Sequence, residues 1–379
     1  MSYPALNQLA RAEELFDTGF LDEALEILND SSQYEGINLQ QKSHFQFLRG
    51  LILYFFNQGE DLIDLGEKIY KEGQKRNDNL QSFDGLFFII IGLGSATRFG
   101  EAFNFFTEIE SVIKSISNLP KEIIIQRKVR LSVAKAYVGL FSGKVELIEK
   151  SLVWILDSQE KFDKSWEIIC ANLFMAAYLM SVKSNFDLCK KHLKKALSLA
   201  NEIKFNHFWI ALCQIYFGVY YWRTGEMDKS LKYYIKGLEL FKKMKNNAYT
   251  AFLLNNMGLL YGEMGEYELA LEHLEECLNL YEQNPHNLFN IEAAIESVIT
   301  LSIEHRDNER AQKYFHYLEN LYRHKKNELI ELLYKFDKAL ILKTSSRIRD
   351  IAKAEELFKE LIETDTIHFD VIIKAHIHL

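Results

Sequence analysis

Residues 254–281 read LNNMGLLYGEMGEYELALEHLEECLNLY. Apolar or small residues fall at Tyr267, Ala270, Leu271, Leu274, Cys277, Leu278 and Tyr281, in steps of three and four. That spacing puts them on one face of a helix. Leu253, Met257, Leu260, Tyr261 and Met264 do the same for the preceding segment. Gly265 and Glu266 lie between, so the stretch predicts two helices packed antiparallel as a hairpin. A glycine in a helix interior costs roughly 1 kcal/mol relative to alanine. Gly258 stands in such an interior, which implies close approach of the partner helix, with Ala270 as the small surface opposite.

The hairpin recurs. With Ala270 as anchor, matching positions are Ala24, Asp64, Ala102, Ile148, Cys189, Ser230, Ala311 and Ala354. They stand 38 to 46 residues apart, mostly near 41. A constant period of this length marks a solenoid. The best copies are FGVYYWRTGEMDKSLKYYIKGLEL (217–240) and ARAEELFDTGFLDEALEIL (10–28); around Asp64 and Ile148 only the period and the turn remain. The expected fold is all-α: a right-handed α-solenoid superhelix of about nine antiparallel hairpins, one domain over 1–379.

Composition agrees. The 379 residues are 48% hydrophobic and include only 3 prolines, so no Pro-, Gly- or Ser-rich linker divides them. A net charge of −8 argues against a nucleic-acid partner, and the clusters Lys190, Lys191, Lys194, Lys195 and Lys242, Lys243, Lys245 read as solvated helix faces. Cys170, Cys189, Cys213 and Cys277 show no CxxC spacing and read as buried hydrophobes in a reducing compartment. No signal-peptide pattern opens the chain and no 18-residue apolar stretch occurs. The expected location is the cytoplasm, without membrane contact.

A small residue and a tyrosine in the first helix, glycine at the turn, and alanine in the second resemble the tetratricopeptide repeat. The likeness is strongest at Gly218, Tyr221, Gly225 and at Gly258, Tyr261, Gly265, Tyr267, Ala270. The unit is longer than the usual 34 residues by about six or seven. Longer units of this kind resemble those of kinesin light chains and of MalT-type and Rap-type bacterial regulators, and imply longer helices in the same fold.

No catalytic pattern stands out. HExxH, GxxxxGK[ST] and GxSxG are absent from the sequence. Gly92-Leu93-Gly94-Ser95 lies in an apolar run and reads as repeat packing. His376 and His378 sit two apart, which on a helix points them about 200° from each other. Glu272, Glu275 and Glu276 read as a solvated outer face. No enzyme activity, cofactor or metal is expected.

The resemblance implies a concave groove lined by first helices, where a partner peptide lies. By analogy with kinesin-light-chain repeats, Asn256, preceded by Asn255, would clamp a peptide backbone, one amide offering donor and acceptor together. The alternative is that Asn256 caps or bridges neighbouring helices. The same register gives Tyr137, Phe174, Tyr178, Ile215, Tyr216, Trp222 and Arg223 as further groove residues, with packing between repeats as their alternative role. The groove is then aromatic in the middle and acidic and polar beyond residue 255, at Glu263, Glu296, Thr300 and Glu304.

Two functions follow. The first is a non-catalytic interaction module or scaffold binding a peptide segment of a partner protein; the alternative is a regulatory sensor of a small effector or signalling peptide. In 367–379 the residues Phe369, Ile372, Ile373 and Ile377 resemble the first helix of a tenth unit, or a cap. Its apolar surface predicts either further chain beyond Leu379 or self-association through this helix.

Overall fold

The computed structural model describes residues 3–30, 36–159, 162, 164–204, 206–283, 291–324, 328–364 and 369–379. Pro285, and residues 367 and 368 of the expected terminal helix, lie outside them. Every regular element among these residues is a helix. The first compact unit, Met1–Ala248, opens with α1 (Tyr3–Thr18), α2 (Leu21–Asn29), α3 (Leu39–Phe55), α4 (Gly59–Arg76), α5 (Asn79–Ser95) and α6 (Phe99–Ser115). It continues with α7 (Lys121–Phe141), α8 (Glu146–Leu156), α9 (Trp166–Ser181), α10 (Phe186–Ala200), α11 (Asn206–Arg223) and α12 (Met227–Lys243). The second unit, Tyr249–Leu379, holds most of α13 (Asn247–Glu263), then α14 (Tyr267–Gln283), α15 (Ile291–Glu304), α16 (Asn308–His324), α17 (Glu328–Lys343), α18 (Ile348–Glu363) and α19 (Phe369–His378). Odd and even helices pair as the first and second arms of hairpins, as the period requires.

The turns explain the glycines of the opening stretch. Gly265 has φ +81°, and the next N–H, of Glu266, bonds back to Tyr261 O at 2.9 Å. This closes the helix in a Schellman turn, for which glycine lacks the Cβ penalty. Asn57, Thr97 and Arg306 hold the same conformation with φ +55°, +59° and +62°. Each is followed by the same bond, Gln58 N to Leu53 O, Arg98 N to Leu93 O, and Asp307 N to Ser302 O. Within the hairpin, a Cβ on Gly258 would lie 2.6 Å from Leu274 Cγ and 3.1 Å from Ala270 O. The helices approach there as the sequence implies.

Eight of the nine anchors are buried, and Asp64 is the exception: it is exposed. The fully buried Leu62 takes its place, fourth in α4 as Ala102 is in α6. A carboxylate stays in water, so the anchor shifts by two. What holds α4 to α5 is a line of glycines seven apart. A Cβ on Gly66 would meet Gly85 O at 2.8 Å, and one on Gly73 would meet Ser82 N at 2.6 Å. Gly92 belongs to this seam too, 2.9 Å from Gly59 O by the same measure.

The first unit closes on itself. Phe55 of α3 stacks on Phe208 of α11 at 3.9 Å and meets Trp209 edge-on at 5.3 Å. Asn246 Nδ2 donates to Phe55 O at 2.8 Å, and Lys245 pairs with Asp22 at 2.9 Å. Helix α9 is buried from Glu167 to Met180, around its whole circumference. In the second unit, α19 packs on α17 and α18. It buries Val371 and Ala375 completely, while Ile373 and Ile377 remain 59% and 75% exposed.

Candidate functional site

Helices α13, α15 and α17 are the first arms of consecutive hairpins, and α13 touches α15 where a Cβ on Gly262 would meet Leu301 at 2.9 Å. Asn255, Glu296 and Asp337 occupy one register on these three helices, 41 residues apart each time. On an apolar inner arm such positions are costly unless a partner answers them. Glu296 is 4% exposed and accepts from Thr300 Oγ1 at 3.0 Å and from Lys374 Nζ of α19 at 2.9 and 3.0 Å. Asp337 is fully buried, and neither of its carboxylate oxygens has a hydrogen-bond partner among the described residues. Burial first, then the Glu296 charge, pushes its pKa well above the usual carboxylate range, while Lys374 pulls it down. Asn255 Oδ1 is also buried without a partner among the described residues, and Asn256 beside it is buried. Gln214, one period before Asn255 and within the first unit, repeats the pattern with its Oε1.

The remaining candidates of the first unit do not share one surface. Tyr137 and Phe174 face its interior, where they border a void of about 10 Å³ together with Tyr54, Phe87 and Trp166. Tyr137 bonds to Ser95 Oγ at 3.1 Å, and burial raises its pKa to about 12. Ile215 is buried as well. Tyr178 instead lines a groove of about 600 Å³ between α8, α9 and α10, with Val153, Leu188, Lys183 and His192. Its hydroxyl donates to Glu149 Oε2 at 2.7 Å, which holds that carboxyl below its ordinary pKa, with Lys183 helping. Trp222 and Tyr216 are half-buried, and Arg223 is exposed.

A second polar cluster escaped the sequence. Arg130 Nε of α7 pairs with the buried Glu167 of α9 at 2.8 Å, and its guanidinium lies 4.0 Å over the Phe47 ring. Asp84 of α5 joins Arg130 at 3.3 Å and Arg127 at 3.2 Å. Each cation faces a carboxylate here, so the cluster holds helices together and leaves no charge for a ligand. All four cysteines are buried, and burial raises Cys189, Cys213 and Cys277 to about 12, which keeps them as thiols. Among the described residues no group of three or more His, Cys, Asp or Glu is placed to hold a metal ion. No described helix is long and apolar enough to cross a membrane.

These features define a tetratricopeptide-like α-solenoid. Residues 212–283 match the tetratricopeptide-repeat family. No curated protein matches the chain by sequence. Among solved structures, a Rap protein complexed with competence and sporulation factor is similar over 100% of both chains, with 12% identity and a TM-score of 0.58. NprR in complex with its cognate peptide NprX is similar over 95% of this chain and 98% of its own, with 14% identity and a TM-score of 0.53. The APC/C hetero-tetramer Cut9–Hcn1 is similar over 87% of this chain, with 15% identity and a TM-score of 0.58; the chain spans 55% of that one.

Proposed function

We propose that the chain is a non-catalytic interaction module whose second unit holds an extended segment of a partner protein along α13, α15 and α17. The observation that carries this reading is the row of buried acceptor oxygens at Asn255, Glu296 and Asp337, two of its three members lacking a partner among the described residues. A peptide backbone presents donors at regular intervals and answers such a row, and the Asn256 amide supplies donor and acceptor beside it. The partner is a protein or peptide, neither nucleic acid nor membrane. In this reading the chain works in the cytoplasm, and within the first unit Tyr178, Trp222 and Arg223 offer separate contact points of their own.

The test is selection of binders from a random 15-residue peptide library, followed by titration against Asn256→Ala. That substitution is expected to weaken selected peptides by about 1–3 kcal/mol, with an unchanged melting curve. Lost stability with intact binding would make Asn256 a structural residue. A second reading, a sensor of a small effector or signalling peptide, is favoured by the fold shared with NprR bound to its cognate peptide. It predicts that a free short peptide alters hydrogen exchange beyond the residues it covers.

A further inference from the structure

Two buried carboxyl groups on neighbouring first-arm helices, those of Glu296 and Asp337, face one cation among the described residues. Lys374 gives its ammonium to both oxygens of Glu296, and Asp337 receives nothing from the described residues. The lysine comes from the solvent side: its side chain is 42% exposed, whereas that of Glu296 is 6% exposed. Among the described residues, the other charged groups of this corner are Glu304 of α15, Lys343 of α17 and His378 of α19. Burial and Lys343 lower the His378 pKa, so it adds no second cation at neutral pH. Lys343 is turned to the His378 carbonyl. The helix that carries Lys374 is short and holds on through a narrow strip, with Val371 and Ala375 buried but Ile373, Ile377 and Leu379 largely exposed.

We propose that Glu296 and Asp337 form a subsite for one cationic side chain of the bound segment, arginine before lysine, and that Lys374 fills it from within the chain. An ammonium is a compact donor and satisfies one carboxylate here. A guanidinium has five N–H donors in a planar fork and spans two carboxylates at once. An incoming arginine therefore gains the Asp337 contacts that Lys374 leaves unmade, and displaces Lys374 from Glu296. The subsite rests on the peptide-binding reading above, and specifies one residue of the segment.

The experiment uses the full chain and two small probes, Nα-acetylarginine amide and its neutral isostere Nα-acetylcitrulline amide, titrated by NMR. Lys374→Met keeps the aliphatic stem and vacates the carboxylates. It is expected to bind the arginine probe at least about tenfold more tightly than the wild type does, and about tenfold more tightly than it binds the citrulline probe. Adding Glu296→Gln or, separately, Asp337→Asn to Lys374→Met should abolish that preference, with circular dichroism reporting that each variant is folded. Equal binding of both probes to Lys374→Met overturns the subsite, as does an arginine preference that survives both carboxamide substitutions. Library peptides that bind wild type while Lys374→Met ignores the arginine probe would end the subsite and leave the peptide-binding reading standing.

Discussion

Replacing Gly85 with alanine sets one methyl group into the seam between α4 and α5. Its Cβ would lie 2.5 Å from Tyr70 N, 2.7 Å from Tyr70 Cα and 2.8 Å from Gly66 O. Ordinary contact begins near 3.4 Å, so the helices must part by about 0.6–0.9 Å, enough to forfeit a quarter to a half of the dispersion well across the gap. All three neighbours are backbone atoms, and no side-chain rotation relieves them. Overpacking of a tight core costs about 1–3 kcal/mol, and a backbone clash belongs at the top of that range. Better helix propensity returns about 1 kcal/mol, leaving a net loss of about 2 kcal/mol. For a cooperative unit of this size that is a fall of about 4–8 °C in Tm. Scanning calorimetry measures it, with Gly100→Ala on α6 as control, since nothing lies within 4 Å of a Cβ there. The control should equal or exceed wild type by up to about 1 kcal/mol. A Gly85→Ala protein that melts with wild type would refute the seam.

Thr97→Gly should stabilise the chain by about 1 kcal/mol in urea titrations, because a β-branched residue at φ +59° carries the left-handed penalty that glycine lacks. Asp337→Asn should stabilise the second unit at neutral pH and above. The folded pKa of Asp337 is raised, so its contribution is full below the unfolded carboxylate pKa and is lost as pH rises through the folded value. Melting curves taken from pH 5 to 9 should therefore fall less steeply for the variant; an unchanged slope would mean that Asp337 does not titrate apart from its unfolded state. Arg130→Met should cost about 3–5 kcal/mol by leaving Glu167 buried without its cation, and adding Glu167→Gln should recover a large part of that loss. Chemical denaturation of the two variants checks both statements.

Period and turn were legible in the sequence because each rests on local chemistry. Ala102, Ser230 and Ala270 are small where helices meet, and Gly225 and Gly265 sit where φ is positive. Asp64 misled because the α4 seam uses Gly59, Gly66 and Gly73, a spacing of seven that no pattern of alanines announces. Closure of the first unit was illegible. Phe55 and Phe208 stand more than 150 residues apart, and nothing local in either segment says that they stack. For that reason Tyr137 and Phe174, aromatic residues in the expected groove register, lie in an interior. Glu296 was visible as an acidic inner-arm residue. Its tie to Asp337 was present in the sequence too, as a step of 41 residues, but one carboxylate among many shows its burial only once the helices are placed.

The central claim is that a partner segment lies on the inner arms of the second unit. Photo-crosslinking tests it most directly: p-benzoylphenylalanine is placed at Thr300, one turn from Glu296 on α15, and separately at Lys359, exposed on α18. A library-selected peptide should crosslink to the chain from position 300 and not from position 359. Crosslinking from position 359 alone, with the peptide bound at full affinity, would place the partner on the outer face and contradict the account.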